Sequence, residues 1–172
     1  MKRFRTKKVA AVVIATAIAL GGAGAALAYF TSSGTGSGTA TVGTAGSWTV
    51  GESGTPSGGP LYPDAAIGGA NIQTDSYTVS NPNAGSQDLT SVVIEVSPTF
   101  SVQDANLDPA CTAADFSVGG QAVGTAWTDT SLHGDYISGA SETGTVTVEL
   151  IDNGANQDSC EGQTVPLVFT AS

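Results

Sequence analysis

From Tyr77 onward, apolar and polar side chains alternate with a period of two. Tyr77 and Val79 alternate with Thr78 and Ser80, and Val92, Ile94 and Val96 with Val93 and Glu95. Further on, Val146, Val148 and Leu150 alternate with Thr145, Thr147 and Glu149, and Val165, Leu167 and Phe169 with Thr164, Val168 and Thr170. This period turns one face of each segment toward a core and the other toward solvent, as in half-buried β-strands. The turn Asn81-Pro82-Asn83-Ala84-Gly85 joins the first two segments, and Asp152-Asn153-Gly154 opens the connection between the last two. The pattern therefore predicts two hairpin-like pairs. Phe116 with Val118, and Val123 with Trp127, predict shorter strands between them. Thr41, Val42, Thr44, Trp48, Thr49 and Val50 predict an earlier strand, followed by a loop from Gly51 to Pro63. No segment after the leader has a capped helical period. Short strands with Gly- and Pro-rich turns predict an all-β fold, an antiparallel β-sandwich of jelly-roll or immunoglobulin-like type. Pro166 lies within the last strand and removes a ladder donor, which predicts an edge strand or a bulge.

The first 28 residues follow a different pattern. A basic start is followed by an apolar run from Val9 to Leu20, small residues from Gly21 to Ala26, and Ala26-Leu27-Ala28. This reads as an N-terminal signal helix, with Ala26 and Ala28 suiting a signal peptidase that cuts before Tyr29. The other reading is an uncleaved anchor, because an uncharged stretch from Val9 to Ala28 has about the length of a bilayer span. The expected organisation is a signal peptide at 1–28, a flexible N-terminal segment or donor strand at 29–40, and the β-sandwich domain at 41–172. The expected location is secreted or on the extracellular cell surface.

Charge sharpens this picture. The formal net charge is −10, but all five basic residues precede residue 9 and all fifteen acids follow residue 51. A body with no Lys or Arg cannot neutralise phosphates, so nucleic acid is excluded as a partner and membrane contact is left to the uncleaved leader. Lysine crosslinks and Schiff-base chemistry are excluded with it. The cysteines are Cys111 and Cys160. In an exported chain the pair predicts one structural disulfide.

Catalytic motifs are lacking. His133, the single histidine, sits in Ser131-Leu132-His133-Gly134-Asp135, where closeness along a loop does not make a triad. No G-x-S-x-G or H-E-x-x-H occurs, and the scattered carboxylates read as a solvated acidic surface rather than a glycosidase pair. The expectation is therefore no enzyme and no required cofactor. One metal reading stands apart. Asp104, Asn106 and Asp108 place oxygen ligands at alternate positions, with Asp115 at the twelfth place of the same loop, which suits calcium. It departs from an EF-hand in having Pro109, a final Asp and no flanking helices. Asp152 to Asp158 is a second, weaker oxygen-rich loop. Trp48 and Trp127 read as core residues, with sugar stacking as the alternative.

Gly24-Ala25-Ala26-Leu27-Ala28-Tyr29-Phe30-Thr31-Ser32, with a Thr/Ser-rich segment following, resembles the SipW-type signal region of the TasA and camelysin group of exported matrix proteins. Tyr77 to Asn83, Leu89 to Val96, and Cys111 to Phe116 look like exported β-sandwich proteins of high-GC Gram-positive bacteria. The resemblance implies a jelly-roll-like fold and noncovalent biofilm-matrix fibres, in which an N-terminal strand, here with Tyr29 and Phe30 as its assembly residues, completes the sheet of the next subunit. Ser32 and Ser33 stand where an acid often follows the aromatic pair, and relatives are often lysine-rich. The functional expectation is a self-associating structural or matrix fibre subunit; the alternative is a monomeric surface binding module for carbohydrate or calcium.

Overall fold

The period-two segments are strands, and each turns inward the face that its alternation assigns to the core, the last of them, Leu167 to Phe169, being half-buried there. The computed structural model describes residues 43–103 and 109–172. Ala26, Ala28 and Tyr29, expected at the signal cleavage site, Phe30, expected with Tyr29 to serve assembly, and Asp104, Asn106 and Asp108, expected as calcium ligands, lie outside the described residues. In chain order the strands are β1 (Thr49–Glu52), β2 (Ser57–Gly58), β3 (Ile72–Ser80), β4 (Gln87–Leu89), β5 (Val92–Val96) and β6 (Ser101–Val102). They continue as β7 (Cys111–Thr112), β8 (Phe116–Val118), β9 (Trp127–Asp129), β10 (Gly134–Tyr136), β11 (Ser141–Leu150) and β12 (Leu167–Ala171). Two single 3₁₀ turns, Ala113–Asp115 and Asp158–Cys160, are the helical elements among the described residues. The chain is thus all-β, and its named strand pairs are antiparallel.

One sheet has the order β1-β3-β11-β8, with β2 also on β3, and a three-stranded sheet has the order β12-β5-β9. The expected hairpins are corrected here. β3 pairs with β11 from Ile72↔Glu149 to Ser80↔Ser141, while β5 pairs with β12 from Val92↔Ala171 to Val96↔Leu167. Neither β3 with β5 nor β11 with β12 forms a ladder. After β3 the chain changes sheet between each of its longer strands, and alternation cannot distinguish this from a hairpin because both bury one face of each segment. The crossings are themselves tied together. β4, between β3 and β5, pairs with β10, between β9 and β11.

Both sheets contribute to one core. Tyr77 and Val79 of β3, Val146, Val148 and Leu150 of β11, and Phe116 and Val118 of β8 are buried with Val92, Ile94 and Val96 of β5. Tyr77 packs against Phe169 of β12 with ring centroids 5.5 Å apart. Gly144 is the register partner of Tyr77, and a Cβ there would run into the phenol ring. That glycine leaves room for the largest fully buried side chain. Glu149 departs from the alternation. It sits on the outward face of β11 yet is 2% exposed, because its Oε2 accepts from the Gly68 and Gly69 amides at 2.7 and 3.3 Å and the loop lies over it. The short strand expected near Val123 begins instead at Trp127, Val123 being exposed in a turn.

β12 is an edge strand, as Pro166 predicts, and the proline stands just before the ladder, where its carbonyl accepts from Ser97 N–H at 2.8 Å. On the other side of β12, the outer strand β1 approaches it. Among the described residues no backbone hydrogen bond joins the two, so they form an unpaired seam.

Candidate functional site

Cys111 of β7 and Cys160 of the second 3₁₀ turn form a disulfide with Cα atoms 5.0 Å apart. Beside it, Thr112 and Asp115 make a reciprocal cap on the first 3₁₀ turn. Asp115 Oδ2 accepts from the Thr112 amide at 2.8 Å and the Thr112 hydroxyl at 3.2 Å, while Oδ1 accepts from Asn153 at 2.7 Å and Gln157 at 3.3 Å. Asp115 is therefore a hub tying the disulfide region to the 152–158 loop. The side chains of that loop close local turns: Asp152, Asn153 and Asn156 accept from the amides of Gly154, Ala155 and Asp158 at 2.8 to 2.9 Å. Cys111, Asp115 and Cys160 bring three donor atoms within 4.8 Å of one another, but both sulfurs belong to the disulfide. Thiolate ligation is thereby spent on a covalent bond.

A second cluster lies on the inward faces of the sheets. The Tyr77 hydroxyl donates to Asp129 Oδ2 inside the core, and Asp129 Oδ1 accepts from the Ser131 amide at 2.7 Å. Burial, then the hydrogen bond and charge of Asp129, push the Tyr77 phenol well above its ordinary range. For Asp129 itself, burial acts to raise the carboxyl, but the hydrogen bonds from Ser131 and Tyr77 outweigh it and the net shift is downward. Tyr136 is held in a similar way, with its hydroxyl 2.7 Å from both the Leu132 carbonyl and Glu142 Oε2. Asp75 lacks such support. It is 6% exposed, and its Oδ1 has no hydrogen-bond partner among the described residues. Burial, and then the charge of Glu52, raise its carboxyl.

A cleft of about 600 Å³ lies between the entering segment Gly43–Trp48 and the loop Asn83–Asp88. Asn81, fully buried, builds the loop from below: it donates to the carbonyls of Gly85 and Tyr136 at 2.7 and 2.8 Å and accepts from Asn83 N–H at 3.0 Å. Two amides then clamp the entering segment across the cleft. Asn83 donates to the Ser47 carbonyl at 3.2 Å, and Gln87 to the Gly46 carbonyl at 2.9 Å. Trp48 is half-buried, its ring edge-on to Tyr136 at 5.4 Å and 86°. Trp127 is also half-buried and packs against the core.

His133 is exposed in a turn, and its Nδ1 lies 2.6 Å from the Thr130 carbonyl. Its recorded contact is with backbone, so the Ser131–His133–Asp135 proximity assembles no triad. Of the residues singled out from sequence, Cys111, Cys160 and Asp115 come together. Asp75, Asp129 and the cleft amides escaped the sequence reading, although Asp75 shares the parity of Tyr77 and Val79 and so belonged to the buried face. No protein-family model, curated protein or solved structure matches the chain.

Proposed function

We propose that this chain is an exported structural subunit of a surface matrix, a β-sandwich of jelly-roll or immunoglobulin-like type that assembles noncovalently by strand donation. The observation that carries this reading is the seam between β1 and β12, two neighbouring outer strands that share no hydrogen bond among the described residues. From Leu167 to Ser172 the chain has no charge, so β12 lacks the charged side chains that commonly protect a sheet edge. β1 and β12 lie too close to admit a strand as they stand, so a donated strand would part them and then pair with each at about 4.8 Å. The sequence supplies a donor. Residues 29–40 are uncharged, carry Tyr29 and Phe30 at the tip, and are separated from β1 by residues 41–48. Because the body contains no lysine, a polymer of this chain rests on backbone pairing and apolar anchoring rather than on lysine isopeptide bonds. The reading involves no catalysis, and its partners are the signal peptidase during export and further copies of itself.

The test is a deletion of residues 29–38 from the mature protein. The shortened chain is expected to keep its disulfide and melting curve while losing polymers by light scattering. Polymers formed equally well by the deleted and full mature chains would overturn strand donation.

A further inference from the structure

From the cleft beside Trp48 we infer a second role: it is a binding subsite for uncharged carbohydrate, a short stretch of a neutral hexose chain. The inference stands on the cleft alone and holds for a monomer and for an assembled subunit. Its volume of about 600 Å³ lies within the range of small-molecule sites. Its wall combines one aromatic ring with polar groups that converge from two segments, the composition that suits a ligand with apolar C–H faces and a rim of hydroxyls. Trp48 provides the ring, and its edge-on contact with Tyr136 holds it in place before any ligand arrives. That preorganisation lowers the ordering cost of binding.

The polar side of the wall selects the ligand's charge. Gln87 donates to the Gly46 carbonyl, so its amide holds the wall together rather than facing the ligand. Asp88, also on the wall, is an exposed acceptor and carries negative charge, whereas the body offers no Lys or Arg to meet an anion. Uronic acids and phosphorylated or sulfated sugars are therefore disfavoured, and neutral hydroxyl donors are matched. Asn83 and Gln87 hold the two walls together from their own backbone-anchored positions, so the cleft is a feature of the turn that Asn81 builds.

The test is calorimetric titration of the mature protein with cellotetraose, maltotetraose, laminaritetraose and chitotetraose, with tetragalacturonate as the anionic comparison. At least one neutral tetrasaccharide is expected to saturate with a Kd below about 1 mM, and tetragalacturonate to bind at least about tenfold more weakly. Trp48→Ala is expected to weaken the neutral sugar by about tenfold or more, and Trp127→Phe to leave it unchanged. Should Trp48→Ala lose its melting transition, Asp88→Ala at an exposed position serves in its place and is expected to weaken binding severalfold. The inference is overturned if no neutral tetrasaccharide binds, if tetragalacturonate binds as well, or if the folded variants bind like the wild type.

Discussion

Asp75, Tyr77 and Val79 share one face of β3, so a carboxyl and a phenol enter the same core as an aliphatic side chain. The two polar groups meet different fates. Tyr77 finds Asp129, and removing its hydroxyl leaves a buried carboxylate short of a donor, so Tyr77→Phe is expected to cost about 1–3 kcal/mol in urea unfolding. Asp75 is raised by burial and by Glu52, which sets the sign of its pH dependence. Its stabilising contribution is complete below the ordinary carboxylate value and is lost as pH rises through the raised folded-state value. Asp129, lowered overall, behaves in the opposite sense: its contribution is present at neutral pH and is lost as pH falls through its folded-state value. Asp75→Asn is therefore expected to flatten the loss of melting temperature that Asp75 causes in the wild type as pH rises above the ordinary carboxylate range. An unchanged slope in thermal melts across that window would show that Asp75 is not under this strain. Here the alternation held the answer in plain form. Parity places Asp75 inward, but a carboxyl at an inward position is easily passed over because charged residues seldom stay buried unpaired.

Strand existence was legible because a period of two is a local property. Pairing was less so. The turns after Ser80 and Leu150 have the chemistry of hairpin turns, yet β3 and β11 pair with each other across a long stretch of chain, and β5 and β12 do the same. Buried faces specify which side of a strand meets the core, and either topology satisfies them. The disulfide was legible from the chain's two cysteines, whereas the role of Asp115 was not. Its spacing from Asp104 suggested a ligand set, while in the fold its carboxylate accepts from Thr112, Asn153 and Gln157. Asn153 and Gln157 come from a distant loop that no local spacing reveals. The Trp48 cleft was hidden for the same reason, since its walls are about forty residues apart in the chain. The element-scale prediction concerns the bridge, which closes a separation of 49 residues. Chain entropy puts its contribution at about 4 kcal/mol when native strain is small. Cys111→Ser is expected to lower the melting temperature markedly, and Asp115→Ala to do so less, by loosening the same region without opening the covalent loop. A Cys111→Ser variant melting with the wild type would contradict a stabilising bridge.

At the scale of the molecule, an acidic body meets the uncharged edge strand β12. Fifteen acids and no Lys or Arg after residue 8 make every copy repel every other. That repulsion is screened within about 8 Å at physiological salt, so it governs approach more than contact. It supplies a restraint that the uncharged β12 edge lacks locally, and under the proposed strand donation the two together make association depend on ionic strength and pH. The most direct measurement is electron microscopy of the purified mature protein, paired with light scattering as sodium chloride is raised at neutral pH. The account predicts that fibres lengthen with salt and that they vanish when residues 29–38 are removed. A mature protein that stays monomeric at high salt and in mild acid would contradict it.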